Sequence, residues 1–342
     1  MIVLHLLYSD RFSGAESVVC HIIRTMEPSH RMIYASPDGP IADALSERGV
    51  TFAPLRSLSV REVRRVVRAY GVELIHAHDM RASFVARLAA PHLPLVFHIH
   101  NNATDGRRLS VKSLLFRLAA RRARHIFWVS ESAMREYRFA KAVRAKSSVL
   151  ENIVDREPLV KRAEADAAAY DVVFLGRLTA VKDPLRFLSL MRRVADAYPS
   201  LRCAMIGSGD MENEVRERVT ALGLERTVEL LGFCSNPYPY LSRASLMVMT
   251  SVYEGMPMAA LEALTFAVPI VATPVDGLVT LIGQGEGGVL SSEDDVLVGA
   301  ILTLLTDPVA LATRRAEAAA IAARHNDVEA YRARIEEVYQ GT

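Results

Sequence analysis

Cysteine is scarce. The 342 residues hold only Cys20, Cys203 and Cys234, far apart and with no Cys-x-x-Cys or Cys/His spacing. That rules out a disulfide scaffold and a structural zinc site of that kind. Long apolar runs are missing too, since none approaches the roughly 18 residues of a membrane span. The opening Ile2–Leu7 lacks a basic flank and is shorter than a signal core, so it reads as a strand. A cytoplasmic protein is expected, working in solution or at the inner face of the membrane. The glycine turn at Ser13-Gly14-Ala15-Glu16 follows no Gly-x-Gly-x-x-Gly pattern, which removes the main support for a nicotinamide-binding reading.

What is present is ample material for two cores. Hydrophobic residues make up 51% and charged ones 23%, far from a disordered composition. The length is about twice that of a usual single domain. The formal charge of +2 hides an asymmetry: residues 1–165 hold 26 Lys and Arg against 16 Asp and Glu, and the rest hold 15 against 23. The first half therefore suits anionic surfaces or substrates.

Short β-rich runs alternate with helical patterns. Strands are expected at 2–7, 31–36, 73–77, 94–99 and 125–129, then at 171–175, 201–206, 227–231, 245–249 and 269–272. Helical patterns separate them, and the chain is almost wholly helical from 293 onward. Such alternation implies βαβ units and parallel sheets covered on both faces. The alanine-rich 163–169 reads as a linker. Two doubly wound Rossmann-like domains are expected, 1–163 and 164–326, facing each other across a cleft. Helix 327–342 is expected to pack back onto the first. Ligands in such sheets bind beyond the carboxyl ends of the strands.

The chemistry-bearing residues stand at those ends. Strand 171–175 runs into Gly176-Arg177-Leu178-Thr179-Ala180-Val181-Lys182, placing two cations in one loop before a helix. There they can neutralise a leaving diphosphate, Arg as a planar fork and Lys as a point charge. Strand 201–206 ends in Gly207-Ser208-Gly209, a turn small enough for a ligand to approach the backbone. Strand 245–249 leads to Glu254-Gly255-Met256-Pro257-Met258-Ala259-Ala260-Leu261-Glu262. Pro257 is expected at the first helical position, and the helix start offers unpaired N–H groups to a phosphate. Glu254 and Glu262 would flank that anion site and grip hydroxyls on either side.

In this order, the Gly turn, Gly-Arg-Leu-x-x-x-Lys, Gly-x-Gly and Glu-Gly-x-Pro-x-x-x-x-Glu-Ala resemble the retaining glycosyltransferases of family 4, which have the GT-B fold. The resemblance covers nearly the whole chain. It implies that Arg177 and Lys182 bind the donor diphosphate, that Glu254 contacts hydroxyls of the transferred sugar, and that Glu262 contacts the ribose. Ser13 and Gly14 would lie under the diphosphate, and backbone from Gly255 to Ala259 would touch sugar and phosphate. His100 aligns best with the histidine beside the donor sugar, with His98 as the rival; His76 reads as structural, and His78 has a minority claim on the site. Asn152-Ile153-Val154-Asp155 departs from the Asn-Gly of many relatives, and Ser13 replaces a glycine.

The resemblance implies a hexosyl or N-acetylhexosaminyl transferase using a nucleotide diphosphate sugar, UDP-linked in the commonest case, with retention. The chain has no Asp-x-Asp, the metal–diphosphate ligand of the other major transferase fold, so no metal or other cofactor is expected. Catalysis is assigned to Glu254, His100, Arg177 and Lys182. The acceptor, a saccharide or lipid-linked saccharide, should sit on the basic first half, as in bacterial envelope polysaccharide assembly. The basic amphipathic 111–124 suits an anionic membrane surface, and equally an ordinary helix facing its own sheet. Arg61, Arg64, Arg65 and Arg68 add a second basic helix. No aromatic platform accompanies these residues, which argues against nucleic acid. A nucleotide-sugar epimerase of the same fold and a non-catalytic transferase subunit are the other readings.

Overall fold

The structure is a computed structural model and describes residues 1–27, 29–100, 104–283 and 285–341. It divides into two compact units, Met1–Ile153 with Asp327–Thr342, and Val154–Asn326. The division falls at 153/154 rather than at 163/164. The residues between, Arg156–Ala163, form a helix of the second unit that packs on Tyr238–Ser242. There the Arg162 guanidinium donates to the Ser235 carbonyl (2.7 Å), and Asn236 Nδ2 donates to the Arg162 carbonyl (2.8 Å). The alanine-rich segment thus follows the boundary rather than forming it.

The first sheet contains β1 (Ile2–Leu6), β2 (Arg31–Ala35), β3 (Leu74–Ala77), β4 (Leu95–Ile99), β5 (His125–Trp128) and β6 (Ser147–Val149). All are parallel, in the order β2-β1-β3-β4-β5-β6. The second contains β7 (Val172–Leu175), β8 (Cys203–Ile206), β9 (Val228–Gly232), β10 (Leu246–Met249), β11 (Ile270–Ala272) and β12 (Gly288–Leu290), parallel in the order β12-β11-β10-β7-β8-β9. The central strands are buried almost throughout, as sheets covered by helices on both faces require. The edge strands β6 and β12 were not expected. Each is three residues long, too short for a pattern of its own.

Both sheets reverse strand order beside their first strand, between β1 and β3 and between β7 and β10. At such a point neighbouring strands send their following helices to opposite faces, and a crevice opens at the carboxyl ends. In the second unit, the Pro184–Ala197 helix buries Phe187, Leu188, Met191 and Val194 against the sheet, and Asp294–Thr306 adds Leu297 and Ile301. Each such side chain contributes roughly 1.5–3 kcal/mol on burial.

The tail does pack back onto the first unit. The Val328–Gln340 helix sets Tyr339, 1% exposed, against the histidine face of the sheet, with its hydroxyl 2.8 Å from His76 Nδ1. Arg124 donates to the Tyr339 carbonyl (2.5 Å), and His30 meets Glu336 at 2.7 Å. Among the described residues, no single helix is long and apolar enough to cross a membrane.

Candidate active site

The second unit brings Lys182 and Glu254 together at the β7/β10 switch point. Lys182, in the loop after β7, forms an ion pair with Oε1 of Glu254, in the loop after β10. Ser251 Oγ donates to the same oxygen (2.7 Å). Glu254 is 8% exposed, so a lysine and a hydroxyl hold a nearly buried carboxylate in one place.

Backbone contacts fix the two loops to each other. Thr250 Oγ1 donates to the carbonyls of Lys182 (3.0 Å) and Asp183 (2.8 Å), and the Val252 N–H donates to the Val181 carbonyl (2.8 Å). Asp183 has left-handed backbone, φ 45° and ψ 60°, and caps the following helix by accepting from the Arg186 N–H (3.2 Å). A non-glycine residue held there costs of order 1–3 kcal/mol, so its surroundings must over-determine it. The Thr250 bond to its carbonyl is part of that restraint.

Gly207 and Gly209 lie directly against the neighbouring backbone. A Cβ on Gly207, where φ is +141°, would lie 2.0 Å from the Gly176 carbonyl oxygen; one on Gly209 would lie 2.2 Å from that of Leu178. The Leu178 N–H donates to the Ser208 carbonyl (3.0 Å), and the Met211 N–H to the Leu178 carbonyl (3.0 Å). The missing side chains make room for the neighbouring protein loop. They set the height of the Gly-Arg-Leu loop, from which Arg177 extends as an exposed side chain.

The third piece is the turn from Gly255 to Pro257 and the Met258–Thr265 helix. Pro257 is the residue before the helix (φ −73°, ψ 117°) and not its first member, because its backbone is still extended. No side chain caps this helix; the Ala260 and Leu261 N–H groups donate to the Pro257 carbonyl (3.1 and 3.3 Å), so only the N–H groups ahead of them are left for an anion. Gly255, Met256 and Met258 are buried, with Ala259 half-buried. Glu262, 6% exposed, accepts from the Tyr238 hydroxyl (3.1 Å). Gly277 packs on this turn: a Cβ there would lie 2.2 Å from the Gly255 carbonyl oxygen. Thr273 Oγ1, after β11, donates to the Ser251 carbonyl (2.6 Å).

Ser13, Gly14 and His100 belong to the first unit. Ser13 is the extended residue before the Gly14–Met26 helix, and its hydroxyl donates to the buried Glu16 carboxylate. His100 leaves β4 and is half-buried. His100 Nε2 lies 3.0 Å from His78 Nδ1, and His78 Nε2 lies 2.8 Å from His5 Nδ1. His98, 0% exposed, sits with its ring centroid 4.1 Å from that of His100, inside the cluster rather than at its rim. Asn101 lies outside the described residues.

Sequence reasoning passed over Ser251, Thr250, Tyr238, Thr273, Gly277 and His5. Ser251 stands three residues before Glu254, and Gly277 follows β11 as the other glycine turns follow their strands; both signals were available. His5 is brought beside His76 only by strand register.

Residues 12–158 match the model for Glycosyltransferase Family 4, and residues 155–324 that for Glycosyl transferases group 1. The chain belongs to the group 1 glycosyltransferases. It is 31% identical over 153 residues to the N-acetylgalactosamine-N,N'-diacetylbacillosaminyl-diphospho-undecaprenol 4-alpha-N-acetylgalactosaminyltransferase of Campylobacter jejuni (44% of this chain, 41% of that protein). It is 23% identical over 308 residues to the UDP-Gal:alpha-D-GlcNAc-diphosphoundecaprenol alpha-1,3-galactosyltransferase of Escherichia coli (79% of each). The matches to the first two curated relatives span only 35% and 41% of those proteins' length. Among solved structures, Anabaena HepE in complex with UDP and glucose superposes over all of both chains, with a TM-score of 0.86 and 22% identity. The two parallel sheets of this glycosyltransferase are those of the GT-B fold.

Burial sets the titration of the histidines in the first unit. It holds His5 and His100 down to about 3, and His76, His78 and His98 well below the ordinary imidazole value. The unfolded chain titrates them near 6.5. Between about pH 6.5 and about pH 3 it therefore binds protons that the folded chain refuses, and stability falls as pH falls. We expect the unfolding free energy, from denaturant titrations at about pH 7.5 and about pH 5.5, to drop on acidification by about 1.4 kcal/mol per pH unit for each such histidine once the pH is below that of the free imidazole. A flat profile would contradict their burial as neutral rings.

Proposed function

We propose that the chain transfers a hexosyl or N-acetylhexosaminyl unit from a UDP-linked sugar to a saccharide or lipid-linked acceptor, with retention, in bacterial cell-envelope polysaccharide or glycoconjugate synthesis. The observation that carries this is the Lys182–Glu254–Ser251 assembly at the switch point. The names of the Campylobacter and Escherichia relatives, both on diphospho-undecaprenol acceptors, support the acceptor class, and the UDP held by HepE supports the base.

Breaking the anomeric bond builds negative charge on the departing diphosphate and positive charge on the sugar ring. Arg177, Lys182 and the uncapped helix start at Met258 meet the first, and this chemistry calls for no metal. Donors aimed at such developing charge commonly do most to lower a catalysed barrier, each by about 3–4 kcal/mol. When the diphosphate takes Lys182, Glu254 loses its cation and keeps Ser251, and the freed oxygen accepts from sugar hydroxyls. Glu262, steadied by Tyr238, takes the ribose hydroxyls. The acceptor hydroxyl attacks on the leaving-group face and passes its proton to a departing phosphate oxygen.

Assayed against a panel of nucleotide sugars, the protein should release UDP and transfer the sugar. Epimerised donor as the sole product would identify the epimerase instead. Lys182→Ala and Glu254→Ala should each lower turnover at least 100-fold. The melting temperature should fall by several degrees, because each change leaves a mostly buried charge unpaired, but circular dichroism at about 25 °C should still show the folded chain. Glu254→Gln should also lose turnover but bind UDP alone several-fold more tightly, because the diphosphate no longer competes with a carboxylate for Lys182. Full activity in either alanine variant would refute the assignment.

The acceptor side is read from the first unit. The Val111–Ala120 helix buries Phe116, Ala119 and Ala120, yet Val111, Leu114 and Leu118 are 74%, 46% and 53% exposed along one stripe, with Leu109 beside it. Lys112, Arg117, Arg121 and Arg122 lie beside them in the sequence, with the Arg117 guanidinium 4.8 Å from the Phe139 ring centroid. The helix therefore covers its own sheet and offers a second, outward apolar face; an apolar stripe rimmed by cations suits an anionic bilayer. The other basic helix is partly spent: Arg64 donates to the carbonyls of Leu88 and Ala89, and Arg65 to Glu62 and the Pro54 carbonyl. The protein should float with phosphatidylglycerol vesicles, fail to float with phosphatidylcholine vesicles, and lose flotation in Leu114→Glu/Leu118→Glu. Flotation unaffected by the double change would exclude this face.

A further inference from the structure

The histidine face of the first sheet carries more than a single residue beside a sugar requires. His5 on β1, His76 on β3 with His78 just beyond it, and His98 on β4 with His100 just beyond it all project to one side, because strand register places His5 against His76 and the period of two repeats the pattern. Two sets of three, His5/His76/His78 and His78/His98/His100, bring one nitrogen from each ring to within 4.8 Å of the others.

Among the described residues, His98 has neither ring nitrogen hydrogen-bonded, although it is fully buried, and His100 Nδ1 is likewise without a partner. A buried polar atom left unsatisfied costs roughly 1–3 kcal/mol. His5 Nε2 and His76 Nε2 are unpartnered as well, but among the described residues of the cluster only His98 has both nitrogens available to a ligand. We infer that His78, His98 and His100 bind one late first-row divalent cation of the zinc class.

Three features favour this set over His5/His76/His78. His78 already has the arrangement of a metal ligand, with Nε2 held by His5 Nδ1 at 2.8 Å and Nδ1 turned toward His100. Ligating imidazoles almost always carry such an outer hydrogen bond. Next, the Nδ1–Nε2 separation of His78 and His100 is 3.0 Å, close to the roughly 3.3 Å between nitrogens that bond a tetrahedral ion at about 2.0–2.1 Å. Finally, His100 is half-buried, which gives an ion a way in and leaves a coordination position for water or an anion. The other set is buried throughout, and His76 Nδ1 is taken by Tyr339. Imidazole donors without carboxylates select zinc, nickel or copper over magnesium or calcium. All three ligands lie within the first unit, and because His100 is also the histidine expected beside the donor sugar, the test reads Zn²⁺ binding and not turnover.

The test uses the full chain, stripped with chelator and titrated with Zn²⁺ by calorimetry, and with Co²⁺ as a visible probe. We expect about one ion per chain, a micromolar or tighter Kd, four-coordinate d–d bands for Co²⁺, and no heat from Mg²⁺. His98→Ala should weaken Zn²⁺ at least tenfold, and so should His100→Ala, whose half-exposed position keeps it folded if the buried change does not; the exposed His92→Ala should bind as the parent. A stoichiometry near zero, or wild-type affinity in folded His100→Ala, would overturn the assignment.

Discussion

The second unit is organised around two opposite charges held at neighbouring strand exits. Lys182 and Glu254 come from loops 72 residues apart in sequence, and they meet because β7 and β10 lie side by side where the strand order reverses. Breaking a mostly buried pair without replacing a partner is expensive, about 3–5 kcal/mol in comparable cases. A ligand that separates the pair must therefore offer an anion to the lysine and donors to the carboxylate. A diphosphate joined to a sugar offers both. The same pair that rests closed in the free protein thus states the chemistry of what opens it.

Around that pair the backbone leaves little freedom. Thr250 straps the loop after β7 to the exit of β10, Thr273 ties in the exit of β11, and Gly207, Gly209 and Gly277 allow main chain to sit directly on main chain. Positions built on such contacts move together. That is the preorganisation a charge-stabilising site needs, since donors that must rearrange during the reaction lose much of their value.

Much of this was legible in the sequence, for a physical reason. Buried parallel strands are written as short apolar runs, and ligand groups stand just after them, so Arg177, Lys182, Glu254 and Glu262 could be placed by counting. What the sequence hid were contacts made by register and close approach. That the Gly-x-Gly turn also seats the Gly176–Leu178 loop could not be read from it. His5 joined the histidine cluster only through its pairing with β3. The strands β6 and β12 were too short to show, and the unit boundary was drawn at an alanine-rich stretch when the preceding helix had already changed sides. The basic excess of the first half was likewise only partly free, since several guanidiniums are committed to carbonyls.

The most direct test of the central claim is a crystal structure of the protein with a nucleotide diphosphate sugar bound. We expect a phosphate oxygen at about 2.7–2.9 Å from Lys182 Nζ, Arg177 on the same diphosphate, and Glu254 turned to a sugar hydroxyl while still bonded to Ser251. A diphosphate bound elsewhere, with the Lys182–Glu254 pair intact, would contradict it.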